Sequence, residues 1–272
     1  MPRVDTLDRM ATVLVTGATD GLGRALATRL AGEGATVFAH ARSEERARET
    51  IGDLLDGPGD VRLVIGDFAS LDAVRALAAE VPDRLDVLVN NAGIGTSNPE
   101  GRAVSDDGYE LRFAVNYLAG FLLAALLRDR LVAAAPARIV NVASAGQMAI
   151  DFDDVMLEDG YSGVRAYCQS KLAQIMHAFD LAEELAATGV TANALHPGTY
   201  MPTKMVRAAG TTPVTAFEDG VEATWRLAAD PALDGVTGRY FFATDEARAD
   251  DQAYDLEARR RLRELSERLV GL

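Results

Sequence analysis

Cysteine is nearly absent from this chain of 272 residues, because Cys168 is the only one. An intrachain disulfide is therefore excluded, which fits a reducing compartment. Residues 1–10 are polar and lack the apolar core of a signal peptide. The most apolar stretch, residues 114–127, is too short to span a bilayer and contains Asn116. We therefore expect a cytoplasmic protein that has no membrane partner.

Positive charge is also scarce. The chain has 27 lysines and arginines against 41 acidic residues, which gives a net charge of -14 at pH 7. A surface this acidic repels phosphate backbones, so we expect no nucleic-acid partner. Among the 27 basic residues only two, Lys171 and Lys204, are lysines. The histidines, His40, His177 and His196, do not have the spacing of metal ligands, which predicts no metal site.

Seven short runs typical of buried strands alternate with helical patterns. The strand-like runs cover residues 11–16, 35–39, 61–65, 87–90, 138–142, 190–195 and 238–242. This alternation predicts a parallel sheet with crossover helices on both faces. We expect one α/β domain over residues 1–272, a three-layer Rossmann fold whose seven-stranded parallel sheet has the order 3-2-1-4-5-6-7. It would comprise a polar N-terminal extension (1–10), a substrate loop (199–220) and a C-terminal helix (250–272).

A glycine-rich segment follows the first predicted strand and opens the first helix. The residues expected to contact a cofactor there are Gly17, Thr19, Asp20, Gly21, Leu22 and Gly23. Glycines permit a tight turn and the close approach of a pyrophosphate, which the N-terminus of the next helix attracts. The alternative is a glycine-rich turn without a ligand, but its position between a strand and a helix favours a dinucleotide.

The end of the second predicted strand indicates which dinucleotide binds. An NAD site usually has an acidic residue there, whereas this chain has Ala41 followed by Arg42. The Arg42 guanidinium suits a 2′-phosphate, so we predict that NADP(H) is preferred, with NAD(H) as the alternative. Arg42 can also be an ordinary surface residue, and the negative charge of Asp20 counts against NADP(H).

Asp67 and Phe68 follow the third predicted strand at the same edge of the sheet. Asp67 can bind the adenine amino group, or it can form a turn before the next helix. We include both residues in the expected cofactor site and leave the two roles of Asp67 open.

Five further motifs resemble those of the short-chain dehydrogenase/reductase family over nearly the whole chain. They are Asn90-Asn91-Ala92-Gly93, Asn116, the strand ending Asn141-Val142-Ala143-Ser144, Tyr167-x-x-x-Lys171 and Pro197-Gly198-Thr199. The resemblance implies an enzyme that interconverts a carbonyl and an alcohol. Its implied catalytic residues are Asn116, Ser144, Tyr167 and Lys171. Its implied cofactor contacts, besides the residues above, are Asn91, Ala92, Gly93, Tyr167, Lys171, Pro197, Gly198 and Thr199.

Within the family, the chain is most similar to the branch that contains retinol dehydrogenases and the WW-domain oxidoreductase. Residues 166–173 and 190–199 carry this similarity. Ala143 stands where a first serine is common, and we identify neither a WW domain nor an N-terminal membrane anchor in the sequence. The fold and the chemistry are expected to transfer, whereas a retinoid substrate is not.

The spacing of Tyr167 and Lys171 places both side chains on one face of a predicted helix. A nearby ammonium lowers the pKa of a phenol, which can then exchange a proton with a carbonyl or alcohol oxygen near neutral pH. Ser144, at a strand end, can hydrogen-bond the same oxygen. By resemblance, Asn116 holds a water that links Lys171 to solvent.

Apolar residues after the fifth and sixth strands predict a lipophilic substrate. The residues expected to bind it are Ser144, Gln147, Met148, Tyr167, Tyr200, Met201 and Met205, with Phe152, Val155, Met156 and Val206 also lining the pocket. Two alternatives remain: an NADP-binding regulator without catalysis, and a sugar-nucleotide epimerase or dehydratase, whose glycine spacing differs. The helical patterns at 108–133 and 166–187 either build a homodimer or homotetramer or simply pack on the sheet.

Overall fold

Eight strands form one sheet in the computed structural model, which describes residues 11–57, 59–97, 101–203, 206–207 and 210–272. The strands are β1 (Thr12–Val15), β2 (Thr36–Ala41), β3 (Val61–Ile65), β4 (Val87–Asn90), β5 (Ala137–Val142), β6 (Val190–His196), β7 (Tyr240–Phe242) and β8 (Asp245–Ala247). Their order is β3-β2-β1-β4-β5-β6-β7-β8. The first seven are parallel and have the predicted order, which confirms the Rossmann fold.

The eighth strand corrects the prediction of seven. β8 pairs antiparallel with β7 after a two-residue turn, Ala243 and Thr244. The sequence of β8 contains two acidic residues and no apolar alternation, so nothing in its pattern indicates a strand. It is a strand because β7 offers it an unpaired edge.

Seven α-helices of the described residues cover the two faces of the sheet. They are α1 (Gly21–Gly32), α2 (Glu44–Leu55), α3 (Leu71–Glu80), α4 (Ala119–Ala134), α5 (Gly163–Glu184), α6 (Phe217–Ala229) and α7 (Leu256–Val270). One apolar core lies between the sheet and α1, α2 and α6, and the other lies under α3, α4, α5 and α7. The Asp20, Ser43, Ser70 and Ser162 side chains cap the N-termini of α1, α2, α3 and α5.

The helix predicted at 108–133 begins later than expected. Gly108 lies in a turn with a φ of +84°. A π-helix, Phe113–Leu118, then leads directly into α4. A π-helix accommodates an extra residue in one turn, so the neighbouring side chains of Asn116 and Tyr117 are both buried. This widened turn has no signature in the hydrophobic pattern.

The C-terminal helix α7 packs on the outer side of α5 in the same chain. Arg259 of α7 donates to the carboxylate of Asp180 at 2.7 Å, and the hydroxyls of Tyr117 and Ser266 lie 2.7 Å apart. Residues 166–182 of α5 are all buried except the half-buried Tyr167. The alternative that α5 packs within its own chain therefore has direct support, and the homodimer or homotetramer stays a prediction.

Two searches of the described part of the chain bear on possible partners. None of its helices has the length and apolar character needed to cross a bilayer. The same residues contain no group of three or more His, Cys, Asp or Glu side chains arranged to hold a metal ion.

Candidate active site

The glycine-rich turn between β1 and α1 is packed so tightly that side chains do not fit. A Cβ at Gly17, whose φ is +66°, would lie 2.8 Å from the Cα of Ala92. A Cβ at Gly23 would lie 2.3 Å from the Gly17 carbonyl oxygen and 2.5 Å from Nδ2 of Asn91. The first-turn N–H groups of α1 have no partners within the helix and suit a phosphate. The turn therefore fits the pyrophosphate of a dinucleotide.

The loop after β4 is bonded directly to this turn. The Thr16 hydroxyl accepts hydrogen bonds from the backbone N–H groups of Asn91 and Ala92 at 2.9 and 3.0 Å. The Asn91 side chain donates to the carbonyl oxygens of Thr16 and Gly17 at 2.8 and 3.2 Å. Asn91 and Ala92, two of the predicted cofactor residues, thus hold the glycine-rich turn in place through hydrogen bonds.

His40, at the end of β2, also supports the turn and was not predicted as a site residue. Its Nδ1 accepts the Gly17 N–H at 3.0 Å, so its Nε2 carries the hydrogen and donates to the Gly66 carbonyl at 2.7 Å. The Phe68 ring stacks on the imidazole at 4.3 Å. Burial lowers the pKa of His40 to about 4, which keeps the ring neutral. The signal available in the sequence was a histidine at the end of the second predicted strand, two residues before Arg42.

Three charged residues surround the region where a dinucleotide would place its ribose and phosphates. Arg42 is exposed at the end of β2. Oδ1 of Asp67 accepts the Ala69 N–H at 2.9 Å, which is the turn-forming alternative, and its carboxylate remains exposed for a further role. Oδ1 of Asp20 accepts the Gly21 N–H at 2.6 Å, so its charge is partly used in capping α1. Thr19 and Leu22 lie in the same turn.

Ser144 and Tyr167 meet beyond the carboxyl end of β5. The side chain of Tyr167 forms a hydrogen bond with Ser144, whose Oγ also accepts the Gly146 N–H at 3.0 Å. Burial raises the pKa of Tyr167, and the bond with Ser144 acts in the opposite direction. We expected the ammonium of Lys171 to lower this pKa. In the protein alone burial has the larger effect, and the Lys171 ammonium lies 5.7 Å from the centre of the Tyr167 ring.

Lys171 lies one turn after Tyr167, as predicted, with its ammonium inside the protein. Nζ donates to the Val142 carbonyl at 2.9 Å and to Oε1 of Gln174 at 2.8 Å, and it lies 5.7 Å from the centre of the Tyr167 ring. Burial lowers the pKa of Lys171 to about 7. Burial thus disfavours the charged form of the lysine, and the two acceptors offset part of this cost.

Asn116 joins the π-helix to the loop after β4. Its Oδ1 accepts the Ile94 N–H at 2.8 Å, and its Nδ2 donates to the Ile94 carbonyl at 3.2 Å and to the Ser170 hydroxyl at 3.0 Å. A Cβ at Gly93 would lie 3.2 Å from Oδ1 of Asn116 and 3.6 Å from Nζ of Lys171. Gly93 thus lets the backbone pass beside both residues. The water predicted at Asn116 stays a prediction.

The segment after β6 brings three more predicted cofactor residues to this edge. Nε2 of His196 lies 3.1 Å from the Thr199 hydroxyl, and the Thr199 N–H donates to the Thr215 hydroxyl at 2.9 Å. Gly198 is enclosed by Thr215 and Met201, so that a Cβ would lie 2.8 Å from Thr215. Pro197 precedes it. These contacts hold the segment after β6 beside the place where we expect the nicotinamide.

Gln147 and Met201, two predicted substrate residues, have other uses in the structure. Gln147 Nε2 donates to the Ser144 carbonyl at 3.0 Å and its Oε1 accepts the Asp250 N–H at 2.8 Å. Met201 is buried in the core and contacts Gly220. Both placements favour support of the site over contact with substrate. Apolar character and position near Ser144 do not distinguish these roles.

The remaining predicted pocket residues divide into two groups. Met148 and Tyr200 are about half exposed, at 46% and 51%, as a substrate entrance requires. Val155 is buried in the core beneath α3, α4, α5 and α7, and Phe152 and Met156 pack against this core while remaining partly exposed. Val206 is half-buried. Met205 lies outside the described residues.

Comparisons with known proteins agree with this geometry. A family model described as short chain dehydrogenase matches residues 11–213. Human retinol dehydrogenase 13 is 37% identical over 286 residues, covering 96% of this chain and 85% of the relative. Human retinol dehydrogenase 14 is 38% identical over 298 residues, covering 96% and 86%.

A solved complex with NADP shares the fold. It is the Pseudomonas aeruginosa RhlG/NADP active-site complex, 28% identical with a TM-score of 0.72, covering 89% of this chain and 97% of that chain. The residues of this chain fit such a group at the glycine-rich turn and at the ends of β4, β5 and β6. The chain belongs to the short-chain dehydrogenase/reductase family, in its retinol dehydrogenase-like branch, and is an NAD(P)-dependent oxidoreductase of alcohol and carbonyl groups.

Proposed function

We propose that this enzyme prefers NADP(H) and interconverts a lipophilic alcohol and its carbonyl compound, with Tyr167 as the general acid and base. The observation that carries the proposal is the meeting of Tyr167, Ser144 and Lys171 at the carboxyl end of β5. The glycine-rich turn follows the parallel strand β1 and therefore lies at the same edge of the sheet. Ligands of open α/β sheets bind at this edge. A nicotinamide bound there would supply or accept the hydride.

The protein's own residues would then hold the substrate and move its proton. Ser144 Oγ already accepts a hydrogen bond from Gly146, so its own hydrogen can be donated to the substrate oxygen. Tyr167 gives a proton to that oxygen in reduction and takes it back in oxidation. A charged Lys171 favours the phenolate form of Tyr167. The preorganised donors act on charge that develops on the substrate oxygen.

Two features support NADP(H) and a lipophilic substrate. Arg42 is exposed beside Ala41, where an NAD site would usually place an acid. The exposed apolar side chains of Met148, Val164 and Tyr200 suit an apolar molecule. The relatives named for retinol, a lipophilic alcohol, are consistent with this substrate class.

The test is turnover measured by the absorbance of NADPH and NADH with a panel of ketones, aldehydes and alcohols of increasing chain length. Tyr167→Phe should lower turnover by roughly two to four orders of magnitude, because it removes the proton donor. Binding of NADPH, followed by fluorescence, should remain. Tyr109→Phe is the matched control, because the Tyr109 hydroxyl bonds the Leu269 carbonyl, outside the site.

The outcomes separate the candidate functions. Full turnover by the Tyr167→Phe protein would refute the catalytic role of the phenol. Binding of NADPH with no turnover on any compound in either direction would instead favour the non-catalytic regulator.

A further inference from the structure

A chain of buried amide side chains lies directly beneath Lys171. Nδ2 of Asn90 on β4 donates to Oδ1 of Asn141 on β5 at 2.9 Å. Nδ2 of Asn141 donates to the backbone carbonyl of Gln174 on α5 at 2.9 Å. Oε1 of Gln174 in turn accepts a hydrogen bond from Nζ of Lys171 at 2.8 Å. The chain therefore runs from the middle of the sheet to the ammonium.

Gln174 is held in place from two sides. Gln174 is 3% exposed and lies in the middle of α5, and its backbone carbonyl accepts a hydrogen bond from Asn141 of β5. It lies three residues after Lys171, so both side chains occupy the same face of the helix. An amide oxygen in this position has no solvent to compete for it. It is available to the ammonium whether or not the site holds a ligand.

Two of the three N–H donors of Lys171 are used in this arrangement. One goes to Gln174 and one to the Val142 carbonyl at 2.9 Å. Among the described residues the third has no acceptor, which leaves it for a group at the site opening. Both acceptors are neutral, so they add no charge next to the ammonium, but they fix the direction in which its third N–H points. Without them, the buried ammonium would lose most of its solvation.

The charged and titratable groups around Lys171 are few, so the neutral acceptors matter more. Tyr167 comes from α5 itself, and His196 comes from β6, where proximity to Lys171 helps to keep the imidazole neutral. The strands β4 and β5 contribute Asn90, Asn141 and a carbonyl group, and the π-helix contributes Asn116. The side chains that β4, β5 and the π-helix contribute here, Asn90, Asn141 and Asn116, are all neutral amides. Burial lowers the pKa of Lys171 to about 7 against this background.

We infer that Gln174 is a positioning residue for Lys171, whose side-chain oxygen keeps the buried ammonium charged and aims its third N–H toward the opening of the site. The contact of Gln174 with Lys171 stands on geometry alone, whereas its consequence for the reaction rests on the proposed function. A lysine that is neutral or turned inward would stabilise the Tyr167 phenolate less. Gln174 would therefore set the pH range in which Tyr167 works.

The composition of the chain permits a direct measurement. It contains only two lysines, Lys171 and Lys204, so protein labelled with carbon-13 at lysine Cε gives two signals. A Lys204→Arg protein assigns them, and a pH titration of the Lys171 signal gives its pKa without any substrate or cofactor. We expect Gln174→Met, which keeps the length and removes the acceptor, to lower the Lys171 pKa by about one unit. Gln174→Glu should raise it above the wild-type value.

Gln169 provides a matched control on the same helix. It is fully buried, and its side chain donates to the Val155 carbonyl at 2.6 Å and not to Lys171 or Tyr167. Gln169→Met should destabilise the fold to a similar degree and leave the Lys171 pKa within about 0.2 units of wild type. A Lys171 pKa that is equal in wild type and Gln174→Met, both folded by circular dichroism, would overturn the inference. So would an equal shift in Gln169→Met.

Turnover then distinguishes the failure of this inference from the failure of the proposed function. In alcohol oxidation, which needs the phenolate, the pH at half-maximal rate should rise in Gln174→Met. If the Lys171 pKa shifts as expected but Tyr167→Phe retains full turnover, Gln174 still positions Lys171 and the proposed mechanism is wrong. If Tyr167→Phe is inactive and the Lys171 pKa is unchanged, the reverse holds.

Discussion

The two halves of the site are built in different ways. The cofactor half, comprising β1 to β4 and their loops, is made of backbone: glycines without room for a Cβ, a helix N-terminus and the supporting side chains of Asn91 and His40. The substrate half, comprising the segments after β5, β6 and β7, is made of side chains that are shared between the pocket and the core. A short sequence motif can specify a site that is built from backbone. A site that is built from side chains depends instead on contacts between residues that are distant in the sequence.

The same contrast is visible in backbone strain. Glycines provide the positive φ angles in the glycine-rich turn, at Gly17 and Gly21. Among the described residues of the substrate half, three that are not glycine have positive φ: Leu157, Tyr200 and Ala243. Such residues cost about 1–2 kcal/mol each and are held by their surroundings. The substrate half thus depends on the rest of the fold more than the cofactor half does.

The largest expected effect tests whether the cofactor half depends on a backbone without side chains. Gly23→Ala would place a Cβ 2.3 Å from the Gly17 carbonyl and should weaken NADPH binding by roughly three orders of magnitude or more. Gly32→Ala, in the same helix with open space around it, is the control and should bind normally. Fluorescence titration measures both. Binding of the Gly23→Ala protein within tenfold of wild type would contradict this description of the turn.

The second prediction tests whether Arg42 distinguishes the two cofactors. Arg42→Ala should raise the Kd for NADPH by roughly 30-fold, the loss of about 2 kcal/mol from a charged hydrogen bond, and leave that for NADH within about twofold. Arg48→Ala is the comparison, because Arg48 is exposed on α2, six residues after Arg42, and pairs with Glu44. Equal weakening of both cofactors by Arg42→Ala would remove the basis for a preference for NADP(H).

The third prediction uses the three histidines, all of which are buried, to compare the halves by stability. Burial lowers the pKa of His40 and His196 to about 4 and that of His177 to about 3. As pH falls below about 6.5, the unfolded chain binds protons that the folded chain does not. Each histidine should therefore cost about 1.4 kcal/mol of unfolding free energy per pH unit from 6.5 down to 5.

Urea unfolding at pH 6.5 and 5.5 measures this loss. Two of the three histidines, His177 and His196, lie in the substrate half or the helix that serves it, so most of the pH dependence should originate there. His177→Phe keeps the ring contact with Phe121 and should remove about a third of the pH dependence. An unchanged free energy of unfolding between the two pH values would contradict the assignment of neutral, buried rings.

The smallest expected effect concerns the strained turn between β7 and β8. Ala243 is the first residue of a two-residue hairpin turn and has a φ of +50°, where glycine is favoured. Ala243→Gly should stabilise the protein by about 0.5 kcal/mol, because the relief of strain exceeds the entropy that glycine adds to the unfolded chain. Ala133→Gly, at an exposed position of α4, should destabilise it by up to about 1 kcal/mol. A lower melting temperature for Ala243→Gly would contradict the strain.

The contrast between the halves also explains what the sequence could predict. The strand order, the glycine-rich turn and the i, i+4 spacing of Tyr167 and Lys171 follow from local patterns, and the structure has all three. His40 acts through Gly17, a partner 23 residues away. Gln174 acts through the ammonium of Lys171, whose direction no local pattern defines. Gln147 and Met201 were expected in the pocket because composition cannot distinguish a wall from its support. Val155 is buried and Phe152 and Met156 are partly buried, so their contact with a substrate stays a prediction.

The π-helix has a consequence for how this chain can change over evolution. Its extra residue lets Asn116 contact the loop after β4 while the adjacent Tyr117 contacts Ser266 of α7. Because the widened turn holds its extra residue locally, deleting one residue there would restore a regular helix and leave the following residues of α4 facing the sheet as they do now. What would be lost is the placement of two adjacent side chains on two different partners. The length of this turn is therefore tied to the contacts of Asn116 and Tyr117 and not to the packing of α4.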